Sequence, residues 1–252
     1  MKNVLLIGCN GQMGKVVQEA IVAHPDVQLV AGFDRLATTD NLFPVYQDFN
    51  EITESIDVVI DFSHHSMTNN TLEYCVAKKL PVVIATTGLS PEIMTAMTAA
   101  SKEIPVFYSA NMSLGVNALI QALHKIAPIL EDDFQIEIIE KHHRFKKDAP
   151  SGTALLLADS INEVLAQPKE YIYGRSGNEN ENAMSEIGIH AVRGGSIPGE
   201  HTVLFAGEDE IIELKHTALS RTIFANGAIK AALFLEKQAA GLFSMNELLN
   251  EN

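Results

Sequence analysis

The sequence predicts an α/β architecture followed by an α+β one, on three observations. Continuous apolar runs alternate with helical stretches through residues 1–113, a glycine-rich turn directly follows the first run, and beyond residue 133 the apolar pattern changes to a period of two. The 252 residues suffice for two modest domains, and a 46% apolar composition supplies a core for each.

Val4-Leu5-Leu6-Ile7 is the pattern of a parallel strand buried on both faces. Gly8-Cys9-Asn10-Gly11-Gln12-Met13-Gly14 then turns the chain into a helix whose expected apolar face carries Val16, Val17, Ala20, Ile21 and Val22. Glycines at such a turn let backbone approach a pyrophosphate, and the helix N-terminus offers free N–H groups and a positive dipole end. The spacing departs from GxGxxG: the glycines stand at 8, 11 and 14, with Asn10 where the second usually sits. Residues 27–33 read as a second strand ending at Asp34, an acid placed for ribose hydroxyls, and Arg35 offers a guanidinium for a 2′-phosphate. The order predicts a Rossmann-type dinucleotide-binding domain. Gly8, Cys9, Asn10, Gly11, Gln12 and Met13 lie at its turn and Asp34 and Arg35 at the ribose, with NADH and NADPH both open as cofactor.

The same rhythm continues with strands over 57–62, 81–85 and 105–108, separated by helices over 67–79 and 90–102. Ligands of an open parallel sheet bind beyond the carboxyl ends of its strands. Ala85, Thr86 and Thr87, then Ser109, Ala110, Asn111 and Met112, are therefore the expected nicotinamide contacts, although Ser, Thr and Asn serve equally as helix caps there. His64-His65 lacks metal-ligand spacing, and no metal site is expected.

After a helix over 116–130, residues 134–140 alternate apolar and polar side chains, as do 187–193, 201–206 and 210–215, set close enough for hairpin or meander connections. Residues 175–184 have loop composition. An Ala-rich helix over 220–238 returns to the first domain, giving a dinucleotide-binding domain of 1–113 with 220–252 and a second domain of 114–219 with a mixed sheet.

Eighteen Lys and Arg against 32 Asp and Glu leave a net charge of −14, which argues against nucleic acid and anionic membranes as partners. Cys9 and Cys75 build no disulfide framework, no apolar run approaches the roughly 20 residues of a membrane span, and residues 4–7 are too short for a signal sequence. A soluble cytoplasmic protein is expected. Within this acidic chain four basic side chains fall in residues 141–147, where an even spread would place about half of one. That cluster calls for a small anionic partner. The doublet His142-His143 close before Lys146 can supply a proton donor near neutral pH and a fixed cation, and Ser151-Gly152-Thr153 opens a helix suited to a carboxylate.

The segment Glu140-Lys141-His142-His143-Arg144-Phe145-Lys146-Lys147-Asp148-Ala149-Pro150-Ser151-Gly152-Thr153-Ala154 matches the signature E-x-H-H-x-x-K-x-D-x-P-S-G-T-A at every specified position. By it, and by the blocks at 8–14, 85–88, 109–113, 193–201 and 220–227, the chain resembles the dihydrodipicolinate reductases, now called 4-hydroxy-tetrahydrodipicolinate reductases, of bacterial lysine biosynthesis. The resemblance implies hydride transfer from NADH or NADPH onto a cyclic, unsaturated imine dicarboxylate. It also implies His142 as proton donor, Lys146 as a second, and His143, Gly152 and Thr153 as ligands of the substrate carboxylates. It implies a homotetramer as well, with the second domain's sheet as interface. Phe145, unspecified in the signature, is expected to pack under its loop.

Two other readings fit parts of the sequence. A semialdehyde or homoserine dehydrogenase shares the first domain, but the former needs an acylating cysteine, and Cys9 and Cys75 lie in the turn and in a helix interior. A dinucleotide-binding redox sensor without catalysis would have no use for His142, Lys146 and an anion-binding helix start together.

Overall fold

The computed structural model describes residues 1–36, 41–178 and 183–251. The chain divides into two compact units, Met1–Leu114 with Arg221–Asn252, and Gly115–Ser220.

The first unit is a seven-stranded, wholly parallel sheet. Its elements are β1 (Lys2–Ile7), α1 (Gln12–Val22), β2 (Val27–Phe33), β3 (Val45–Tyr46), β4 (Val58–Asp61), α2 (Thr68–Lys78), β5 (Val82–Ile84), α3 (Pro91–Ala100) and β6 (Pro105–Tyr108). Much later in the chain come α6 (Thr222–Leu235), β12 (Gly241–Phe243) and α7 (Met245–Leu249). Burial on both faces explains the unbroken apolar runs. Val4 and Leu6 face a core shared with Val17, Ile21, Ala228 and Leu235 of α1 and α6, whereas Leu5 and Ile7 face one shared with Leu72, Cys75 and Met97 of α2 and α3. The strand order β12-β6-β5-β4-β1-β2-β3 departs from β1 in both directions, so the crevice beyond the carboxyl end of β1 is the topological switch point. The edge strands β3 and β12 and the short α7, opened by a capping box of Ser244 and Glu247, are additions to the expected elements.

The second unit contains α4 from Leu114–Leu130, β7 (Gln135–His142), α5 (Gly152–Asn162), β8 (Glu170–Tyr173), β9 (Glu186–Arg193), β10 (Glu200–Ala206) and β11 (Ile211–Thr217). Its sheet runs β11-β10-β7-β9-β8 and is mixed: β7 pairs antiparallel with β10 and parallel with β9. This corrects the hairpin or meander expectation, because only β10 and β11 are consecutive antiparallel neighbours. The reason lies in β7, which takes the centre and pairs along both edges. Its alternate residues Ile136 and Ile138 are buried against a core that includes Leu123, Leu157, Ile187, Val203 and Phe205. The unpredicted β8 lies at the edge, and residues 179–182 of the expected loop fall outside the described residues.

Candidate active site

In the first unit, the glycine turn is shaped for close backbone approach. Gly8 follows β1 with φ +78°, and a Cβ on it would meet the backbone of Phe62 and Ser63 at 2.9 Å. A Cβ on Gly14 would overlap the carbonyl oxygens of Gly8 and Cys9, so α1 presses directly on the turn. The helix N-cap, Gly11, makes no side-chain cap bond and the first turn holds no acid, which leaves the positive end of the dipole unneutralised by its own residues. Asp34 receives the Asn10 N–H on Oδ2 at 3.0 Å and the Leu36 N–H on Oδ1 at 3.1 Å. Arg35 donates from Nη2 to Ser66 Oγ at 3.0 Å and lies against Met67 Sδ. Acid and guanidinium thus flank the turn on separate anchors, and the donor set fits a dinucleotide.

The other predicted cofactor residues lie at the carboxyl ends of β5 and β6. Thr86 donates to the Ser63 carbonyl at 3.1 Å, and Ser109 Oγ donates to the Asn111 carbonyl at 2.7 Å. Thr87 and Ala110 are exposed, while the side chains of Cys9 and Met112 are buried in the core, leaving only their backbone to face a ligand. Burial pushes the Cys9 thiol up to about 12 and the Cys75 thiol well above its ordinary value, so neither is a nucleophile for acyl chemistry. Asp61, fully buried at the end of β4, accepts the Ser63 N–H at 2.7 Å, and burial pushes its carboxyl up.

In the second unit, the period-two pattern of β7 continues the buried row Ile136, Ile138 into Glu140 and His142. Register then sets His201 of β10 opposite Glu140, and Arg193 of β9 opposite His142. Glu140 is 0% exposed and every one of its contacts is a donor. Oε2 takes His142 Nδ1 at 2.6 Å and Arg193 Nη1 at 2.7 Å; Oε1 takes Arg193 Nη2 at 2.6 Å and the Ser151 N–H at 2.9 Å. Burial raises the pKa of this carboxyl, but the bonds from Arg193, His142 and Ser151 together outweigh it and hold Glu140 below the usual carboxylate range.

Ser151 is also the N-cap of α5, its Oγ accepting the Ala154 N–H at 3.2 Å and lying 2.8 Å from His201 Nε2. A Cβ on Gly152 would meet nothing within 4 Å, and no acid stands in the first turn of α5, so this helix end is open and positive. Between β7 and α5, Lys146 pairs with Asp148 at 2.8 Å, and His143 Nδ1 is buried without a hydrogen-bond partner. Gly199, at φ +154°, would carry a Cβ 3.1 Å from His142 Nε2, so a glycine there keeps that nitrogen uncrowded.

The structure therefore brings His142, His143, Lys146 and the 152–153 helix start into one segment anchored on Glu140. Phe145 departs from expectation: it is 72% exposed, with the Arg144 guanidinium 4.7 Å from its ring centroid, because the short loop turns it outward. Glu140, Arg193 and His201 carry no role expected from the sequence alone. An acid in the row of Ile136 and Ile138 does signal a buried partner, without identifying it.

The same cluster makes stability depend on pH. Burial, then the charge of neighbouring His142, presses His201 down to about 4 from 6.5. The unfolded chain therefore takes up this proton first as pH falls. The fold loses stability between about pH 6.5 and 4, by at most roughly 3 kcal/mol from this group, and recovers it as pH rises again. Thermal melts of the wild type and His201→Gln across this range check it: the slope is expected to flatten in the variant, and an unchanged slope would reject the assignment.

The family model for the N-terminus of dihydrodipicolinate reductase matches residues 2–112, and that for its C-terminus matches residues 115–249. A 4-hydroxy-tetrahydrodipicolinate reductase from Caldanaerobacter subterraneus subsp. tengcongensis is 52% identical over 251 residues, covering 100% of this chain and 99% of that protein. Another, from Clostridium tetani, is 48% identical over 250 residues, covering 99% and 98%. Among solved structures, a dihydrodipicolinate reductase from Paenisporosarcina sp. TG-14 with dipicolinate bound aligns with a TM-score of 0.81 at 24% identity, covering 98% of this chain and 99% of that one. Matched along nearly its whole length in both halves, the chain belongs to the dihydrodipicolinate reductase family.

Proposed function

We propose that this oxidoreductase is a nicotinamide-dependent 4-hydroxy-tetrahydrodipicolinate reductase in the diaminopimelate route to lysine. The observation that carries the reading is the shared anchor of the second unit: Glu140 holds both the imidazole of His142 and the Ser151 N–H at the start of α5. A proton donor thus adjoins an open, positive helix end, the combination a dicarboxylate reductase requires.

When bound, the reduced nicotinamide supplies a hydride. The turn Gly8, Cys9, Asn10, Gly11, Gln12 and Met13 holds the pyrophosphate, with Asp34 and Arg35 at the adenosine ribose. Ala85, Thr86, Thr87, Ser109, Ala110, Asn111 and Met112 face the other end. Since Asp34 and Arg35 stand on separate anchors, NADH and NADPH are both accepted. On the substrate side, Gly152 and Thr153 bind one carboxylate at the N-terminus of α5, and the half-buried imidazole of His143 contributes a further contact. The reduced ring is electron-rich and must be protonated. His142 delivers that proton from Nε2, because Nδ1 is engaged by Glu140. Lys146, held by Asp148, assists departure of the ring hydroxyl as water.

The protein is cytoplasmic and assembles as a homotetramer through the face of the second unit's sheet turned away from its core. Ile139, Val192, Leu204 and Ile211 stand on that face, and Val192 and Ile211 are exposed, which supports the reading. Glu137 also lies on that face, paired with Arg175 and His190.

The test supplies the purified protein with freshly generated dihydrodipicolinate synthase product and either cofactor, following loss of reduced-nicotinamide absorbance at low and high salt. Turnover with both cofactors is expected, with KM for the dianion rising with ionic strength because capture by Lys and His is electrostatic. Absence of turnover would reject the function, and a salt-independent KM would reject the basic segment as the dianion site.

A further inference from the structure

Glu140 sits where its two oxygens divide the site between them. Oε2 holds the proton donor and Oε1 holds the start of the substrate-binding helix, each oxygen taking one further bond from the Arg193 fork. With no water-exposed surface and only donors around it, the carboxylate has nothing to give. The hydrogen in the 2.6 Å contact must therefore come from His142 Nδ1, and the neutral ring is held as the Nδ1–H tautomer. Arg193 extends the order. Its Nη2 also donates to the Asp148 carbonyl at 2.7 Å, and the Asp148 carboxylate holds Lys146 at 2.8 Å.

We propose that Glu140 and Arg193 form a positioning pair that fixes His142 with Nε2 as its working nitrogen and registers His142, Lys146 and the start of α5 against one another. The inference rests on the reading of His142 as proton donor, and it adds what makes the ring competent. Glu140, with no exposed surface, acts only through the groups it holds. The carboxylate selects the tautomer and supports the imidazolium, and the guanidinium compensates a buried charge that would otherwise oppose folding. A purely structural ion pair would hold the fold without any effect on which ring nitrogen carries the proton.

Two measurements separate these roles. The first is on the wild type: nitrogen NMR of histidine-labelled protein, read on the neutral form of the His142 ring, with His142→Gln to assign the signal. The expected result is an Nδ1–H ring with Nε2 bare; an Nε2–H tautomer would overturn the proposal, whether or not the protein turns over the expected substrate. The second compares Glu140→Gln and Glu140→Asp. Glutamine keeps the size and the acceptor for Ser151 but turns an amide N–H toward Nδ1. Its kcat is expected to fall about 10²–10³-fold with KM within about threefold, and the alkaline limb of the pH profile is expected to move to lower pH by about one unit. Aspartate is expected to restore at least tenfold of the lost kcat. A Glu140→Gln enzyme with unchanged kcat and pH profile would overturn the pair's role. Should that variant not fold, the wild-type tautomer decides alone.

Discussion

His142→Gln is expected to lower kcat by about 10²–10⁴-fold while leaving KM within about threefold of the wild type. Glutamine fills similar space and can hydrogen-bond Glu140, but it has no proton to release near neutral pH. The loss should therefore fall on the step that follows hydride addition, when the electron-rich ring is protonated. Substrate capture should persist, because the open N-terminus of α5 and His143 are untouched. Steady-state kinetics on the synthase product, with circular dichroism to verify folding, checks this. A variant of full rate would remove His142 from the chemistry, and a loss confined to KM would recast it as a binding residue.

Gly14→Ala is expected to weaken dinucleotide binding by about 100-fold or more and to destabilise the first unit by roughly 2 kcal/mol. The place a Cβ would take is already filled by the carbonyl oxygens of Gly8 and Cys9, which are backbone and cannot swing aside as a side chain can. The helix must back away from the turn, carrying its N–H groups off the position where a pyrophosphate would meet them. Calorimetric titration with NADH and a thermal melt measure the two effects. Wild-type affinity in the variant would mean that α1 and its turn do not hold the cofactor.

Much of the first unit was legible because parallel strands buried on both faces leave unbroken apolar runs, as in Val4-Leu5-Leu6-Ile7 and Val82-Val83-Ile84. What escaped were pieces too short to carry a period, such as the two residues of β3 and the three of β12. In the second unit alternation revealed strands without their partners. The parallel pairing of β7 with β9 follows from which edges of β7 are free, and that depends on packing rather than on either strand's own residues. The candidate site divides the same way. His142, Lys146 and the 151–153 helix start lie within one segment and could be read together. The Arg193 that completes Glu140 stands 53 residues away, and only the fold brings it there. Phe145 stands outward because a loop of small reach has no interior to offer it.

Hydride transfer to the cyclic imine dicarboxylate is tested most directly by isotope tracing. The purified protein is given reduced nicotinamide deuterated at its hydride-donating carbon together with freshly generated synthase product, and the ring is then examined by NMR and mass spectrometry. One cofactor-derived deuterium on a ring carbon of tetrahydrodipicolinate is the expected result, formed much more slowly by His142→Gln. Cofactor oxidation that leaves no deuterium in the ring, or no oxidation at all, would contradict it.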